Sequence, residues 1–265
     1  MKQSPYTNKV LKKITWVTGS ARSGTTLVGK ILSTLKGVEY GFEPDLLFSL
    51  LPLIKKIEKK YWNEIYEDYI IEDIFFNLCN GRKINLKKND YSSIYNSLNK
   101  KQVNQKLHLS LRRKEFDKYL KKNKKTLIIK TPSLANSFTK LQDYYPENRF
   151  VVTSRSTSAI TSSLLKKGWF KKSGYLYSTQ GRTKQWLEPR LYKTWINSNE
   201  IEKTKIYLSI MEKYLKQIKK KHVVDFKRLL SNPNKVIKEM CDYLNLKKTK
   251  KTDEMIETID IKKNI

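Results

Sequence analysis

From Gly19 to Thr26 the sequence reads Gly-Ser-Ala-Arg-Ser-Gly-Thr-Thr, a run suited to gripping an anion. Its glycines let the backbone turn tightly, so that successive N–H groups of Ser20, Ala21, Arg22, Ser23 and Gly24 face one point. Thr25 and Thr26 add hydroxyls, and Arg22 adds a full positive charge on a forked array of donors. A loop that holds the β- and γ-phosphates of a nucleoside triphosphate ends Gly-Lys-Ser/Thr. Here Thr25 stands where that lysine belongs, and the cation has moved into the loop as Arg22. The expected ligand is therefore an anion other than a triphosphate. An ordinary Ser/Thr helix cap would use the same residue types.

Such a loop works only between a strand and a helix, and the flanking patterns supply both. Lys13–Thr18 is a short β-rich run, and Leu27, Val28, Ile31, Leu32 and Leu35 recur at helical spacing. Further strands are expected at Thr126–Ile129, Arg149–Thr153 and His222–Asp225. Helices are expected at Leu46–Tyr61, Ile65–Leu78, Leu134–Tyr145, Ser156–Lys167, much of Arg182–Lys220, and Pro233–Leu244. Asn80–Lys106 is polar and weakly patterned, and reads as an insertion of short helices and loops. Strands alternating with helices predict a three-layer α/β/α domain around a parallel sheet. This domain is expected to span residues 1–246, with a charged, partly disordered tail over 247–265.

The chain has 265 residues, 38% hydrophobic and 11% aromatic, enough for a folded core. Its formal net charge of +30 is spread along the chain together with many Asn and Ile, a pattern that compositional bias would produce without any polyanion partner. No basic stripe interleaved with aromatics stands out, so nucleic acid is not the expected partner. Charge of this size still steers phosphates and sulfates toward the surface. Cys79 and Cys241 match no zinc or disulfide spacing, and no metal-ligand cluster is visible. Met1–Lys13 lacks an apolar segment and no window is long enough to span a membrane, so a cytoplasmic location is expected.

The loop Ala21-Arg22-Ser23-Gly24-Thr25-Thr26 resembles the 5′-phosphosulfate loop of sulfotransferases, with Ala21 in place of the usual proline. A second segment is similar to the 3′-phosphate signature of that family: Arg149–Arg155 reads as a strand ending in Arg, and Ser163 follows eight residues later. Two weaker matches are Lys130-Thr131-Pro132 and the stretch Phe226–Pro233 before Tyr243-Leu244, where Lys227 replaces an acid. The resemblance covers about residues 13–246. It implies a P-loop, nucleotide-kinase-like fold and 3′-phosphoadenosine-5′-phosphosulfate as donor, used without a metal. Ser20–Thr26 would hold the 5′-phosphosulfate, and Arg155 and Ser163 the 3′-phosphate.

Sulfuryl transfer needs in-line positioning and neutralisation of spreading negative charge. Arg22 and Lys130 are the cations expected around the transferred group. An acceptor hydroxyl also needs a base. The resemblance implies Glu43, 21 residues after Arg22, for this role, since tyrosylprotein and several carbohydrate sulfotransferases carry a functional Glu at a similar place. The same carboxylate would suit the start of the following helix. Glu39 and His108 are lesser candidates. Trp169, Phe170, Trp186 and Trp195 fit a satellite core or a stacking surface for sugars. Lys166, Lys167, Lys171 and Lys172 fit a solvated face or an attraction for anionic acceptors. The expected acceptor is a hydroxyl on a carbohydrate or glycolipid, with tyrosine behind it. A P-loop kinase or NTPase, and a noncatalytic basic protein for nucleic acid or acidic glycan, remain as rival readings.

Overall fold

The computed structural model describes residues 5–171 and 186–263. Lys172 and the first residues of the expected Arg182–Lys220 stretch lie outside the described residues. Five strands, β1 (Thr15–Gly19), β2 (Val38–Phe42), β3 (Thr126–Lys130), β4 (Arg149–Ser154) and β5 (Lys221–Asp225), form one parallel sheet. Their order is β2-β3-β1-β4-β5. In the central strand, Trp16 stands level with Ile129 of β3 and Phe150 of β4.

Side chains of a strand point alternately to its two faces, and the core divides accordingly. Trp16, Leu127, Ile129, Phe150 and Val152 join one buried cluster, shared with helices Asp45–Leu50, Lys59–Asp68, Arg113–Lys122 and Ala135–Tyr144. Val17, Ile128, Val151 and Val224 join the opposite cluster, with helices Thr25–Ser33 and Pro233–Leu244. The expected three-layer α/β/α architecture follows from this division.

The sequence reading missed one strand and misplaced several boundaries. Val38–Phe42 is a full strand at the sheet edge, paired along β3 from Thr126 to Lys130. The expected helix Leu46–Tyr61 is broken: Asp45–Leu50 passes into a 3₁₀ turn, Leu51–Lys55, and helix resumes at Lys59. Pro52, near the start of that turn, has no N–H to continue an α-helix. The next expected helix, Ile65–Leu78, begins earlier, at Lys59, and is wound as a π-helix over Tyr69–Phe76. The tail is also more ordered than expected. Lys250–Lys263 is a helix that buries Thr252, Ile256 and Ile259, the two isoleucines against the second cluster. Among the described residues, no helix is long and apolar enough to cross a membrane.

Candidate functional site

Ligands of parallel α/β sheets bind beyond the carboxyl ends of the strands. Each strand of this sheet delivers one of its singled-out residues there. β1 runs into the loop Gly19–Gly24, Glu43 follows β2, Lys130 closes β3, Arg155 follows β4, and Phe226 follows β5.

The loop has the backbone that its composition predicts. Gly19 and Gly24 have φ of 155° and 105°, and Arg22 lies in the left-handed region at 68°. Both glycines are also sterically required. A Cβ on Gly19 would come within 2.4 Å of Thr153 Oγ1, and one on Gly24 within 2.2 Å of Phe226 Cδ2. Buried Ser23 pins the turn, donating to the Ser20 carbonyl at 2.6 Å and meeting the Thr153 hydroxyl at 2.5 Å. The Ala21 N–H donates to the Tyr207 hydroxyl at 2.5 Å, which also meets Ser133 Oγ at 2.7 Å. Helix Thr25–Ser33 starts directly after Gly24, so its positive end faces the loop.

Arg155 and Ser163 converge on this loop. Arg22 Nε donates to Ser163 Oγ at 2.9 Å, and Arg155 Nη1 donates to the Arg22 carbonyl at 3.2 Å. The Arg155 guanidinium lies 4.9 Å from the centre of the Phe226 ring, the same ring that crowds Gly24. Arg22 in turn lies 5.8 Å from the ring of Trp169.

On the opposite flank, the Lys130 ammonium is buried between Glu43 and Thr26. It pairs with Glu43 Oε1 and donates to Thr26 Oγ1 at 3.2 Å. The Glu43 N–H donates back to the Lys130 carbonyl at 2.9 Å, and Glu43 has a φ of 46°. Burial holds the Lys130 ammonium below the ordinary lysine range; Glu43 opposes that shift and Arg22 adds to it. The site therefore offers three cations, Arg22, Lys130 and Arg155, around a loop whose Ala21 and Ser23 N–H groups are already bonded to Tyr207 and Ser20, with one half-buried carboxylate beside them.

Two lesser candidates lie elsewhere. Glu39 is 4% exposed, and each of its oxygens takes a lysine: Lys106 and Lys125, both at 2.6 Å. It is a structural ion pair, not a free base. His108 caps the end of helix Lys100–Leu107 on the surface, with no described contact to the loop or to Glu43. Phe170, Trp186 and Trp195 pack with Tyr207 in a third buried cluster, so the satellite-core reading holds for them; Trp169 packs at its margin. Lys166, Lys167 and Lys171 are exposed. Sequence reasoning missed Tyr207, Thr153 and Phe226 as supports of the loop, because their roles arise from contacts more than 100 residues apart. Among the described residues, no three His, Cys, Asp or Glu side chains cluster as a metal would require.

Several solved structures are similar to the chain. The sulfotransferase domain of the Synechococcus PCC 7002 olefin synthase is 14% identical, with a TM-score of 0.48 over 91% of this chain and 75% of its own. The sulfotransferase domain from the curacin biosynthetic pathway is 13% identical, at 0.48 over 91% and 76%. A sulfotransferase of Mycobacterium tuberculosis is 16% identical, at 0.47 over 97% and 74%. No curated protein sequence matches the chain. The family model described as "Sulfotransferase family" matches residues 15–250, from the first residue of β1 to the first of the C-terminal helix. That match takes in all five strands and every residue of the site just described, and the chain therefore belongs to the sulfotransferase family.

Proposed function

We propose that the chain transfers the sulfuryl group of 3′-phosphoadenosine-5′-phosphosulfate to a hydroxyl on a carbohydrate or glycolipid, in the cytoplasm. One set of contacts carries this reading. Arg155 and Ser163 both bond to Arg22 in the glycine loop, which supports reading them as a second anion cradle beside the first. A nucleotide charged at both its 5′ and 3′ positions fits such a pair; a nucleoside triphosphate has no use for the second cradle.

In this reading the N–H groups of Arg22, Gly24, Thr25 and Thr26 and the Thr hydroxyls hold the 5′ end, and Arg155 and Ser163 hold the 3′-phosphate. The Ala21 and Ser23 N–H groups are taken by Tyr207 and Ser20 within the loop's own support. Ser163 and Arg22 exchange their mutual bond for bonds to the donor. The donor supplies an activated sulfuryl group, and the chain supplies charge and alignment around it. Lys130 and Arg22 neutralise the charge that gathers on the bridging oxygen as the S–O bond to the leaving phosphate breaks. Glu43 takes the proton of the acceptor hydroxyl as its oxygen bonds to sulfur. The Glu43–Lys130 pair must part for this to happen, and the arriving anion gives the ammonium a new partner.

Calorimetric titration with adenosine 3′,5′-bisphosphate tests the donor assignment, and transfer of radiolabelled sulfate to a panel of glycans, glycolipids and phenols tests the acceptor. Absence of bisphosphate binding, or label appearing only on phenols, overturns the respective half.

A further inference from the structure

A cavity of 810 Å³ lies along the free edge of β2, roofed by residues 83–109 and floored by Tyr69, Ile74 and Leu78. Its size suits a small-molecule site. One wall is continuous with the candidate active site. Phe42 and Pro44, the neighbours of Glu43, both line it, and the ring of Phe42 is also the face over which the Lys130 ammonium sits, at 4.5 Å from its centre. Phe42 therefore touches both the cavity and the Lys130 ammonium that pairs with Glu43.

The lining tells what such a molecule is. Its charged groups are three carboxylates, Glu39, Asp45 and Asp73, and three ammoniums, Lys83, Lys106 and Lys125. Lys106 and Lys125 are both bound to Glu39, and Lys83 pairs with Asp73 at 2.5 Å. Burial would depress the Lys125 ammonium, but Glu39, then Tyr119, override this and hold it above the ordinary lysine range. These lysines are committed, and the wall has no net charge despite the +30 of the chain. The rest of the lining mixes apolar side chains with hydroxyls and amides.

We infer that this cavity is the acceptor site, and that it takes an uncharged amphipathic molecule, an apolar body bearing sugar-like hydroxyls, rather than an anionic glycan. The inference rests on the donor reading above and narrows its acceptor. The segment 83–109 then sets acceptor choice. The Glu39–Lys106 and Glu39–Lys125 pairs tie its last helix to β2 and to the residue preceding β3. An acceptor bearing a carboxylate would enter a wall whose charges balance and whose lysines already face Glu39 and Asp73, and would lose its hydration with little compensation.

The test uses the full chain, octyl β-glucoside below its micellar concentration, and octyl β-glucuronide as the charged counterpart, each titrated with adenosine 3′,5′-bisphosphate present. Octyl β-glucoside is expected to bind, with the glucuronide weaker by about tenfold or more. Filling the cavity with Ser93→Trp, or independently with Leu98→Trp, should weaken the glucoside by about tenfold or more while leaving bisphosphate affinity within about twofold. The unchanged bisphosphate affinity also certifies that the variants fold. The inference is overturned if the glucoside does not bind, if both variants bind it as tightly as the parent, or if the glucuronide binds better. Failure of the bisphosphate itself to bind brings down the donor reading instead, and is distinguishable because that titration is run first and alone.

Discussion

The guanidinium of Arg155 donates to the carbonyl oxygen of Arg22 at 3.2 Å, tying the end of β4 to the tip of the loop after β1. If Arg155 serves the 3′-phosphate, its removal should be felt only by ligands that carry one. Arg155→Ala should weaken adenosine 3′,5′-bisphosphate by roughly 10- to 100-fold, the worth of a charge-assisted hydrogen bond. Adenosine 5′-phosphate should be nearly indifferent. Equal losses for both ligands in calorimetry would instead make Arg155 a prop for the loop.

The loop's glycines make a second prediction, on stability. Gly24 has positive φ and lies against Phe226 with no room for a methyl group. Gly24→Ala combines backbone strain with a clash and should destabilise the fold by about 1–3 kcal/mol. Denaturant unfolding measures this directly. An unchanged midpoint would mean that the Phe226 ring moves aside at no cost.

What was legible in the sequence was what is local. The loop could be read because contiguous residues specify it: two glycines where only glycine fits, with a strand before and a helix after. The edge strand β2 could not. Val38-Glu39-Tyr40-Gly41-Phe42 places a buried carboxylate and a glycine in five residues, and Glu39 is tolerable only because Lys106 and Lys125, 67 and 86 residues on, meet it. The C-terminal helix was hidden for a related reason. Its many charges mask Ile256 and Ile259, one turn apart, which are buried only because the second face of the sheet has room for them. Tyr207 offers no local signal at all, since its hydroxyl matters only through Ala21 and Ser133.

Glu39 provides the third prediction, which separates a structural carboxylate from a catalytic one. Glu39→Gln leaves two lysines without their counter-charge in a buried site, and should lower stability by about 3–5 kcal/mol. Bisphosphate affinity, measured below the shifted melting temperature, should stay at the parental value. A variant as stable as the parent but unable to turn over would restore Glu39 as a base.

The fourth prediction concerns the Lys130–Glu43 pair and turns on the sign of a pKa shift. Burial depresses the Lys130 ammonium, so as pH rises it loses its proton earlier than a free lysine does. If the cation is needed in the transition state, kcat/KM falls on an alkaline limb below the ordinary lysine range. Lys130→Arg keeps the charge at every accessible pH and should flatten that limb. It should also lower kcat, because a planar fork does not fit where a point charge meets Glu43 and Thr26. Glu43→Gln removes the one partner that opposes desolvation, so the limb should move to lower pH. The same substitution should cut kcat by roughly 10²- to 10⁴-fold if Glu43 takes the acceptor proton. A modest loss of kcat with the limb still displaced would make Glu43 the residue that positions Lys130. A limb unmoved by either substitution would assign the alkaline titration to another group and remove Lys130 from the chemistry.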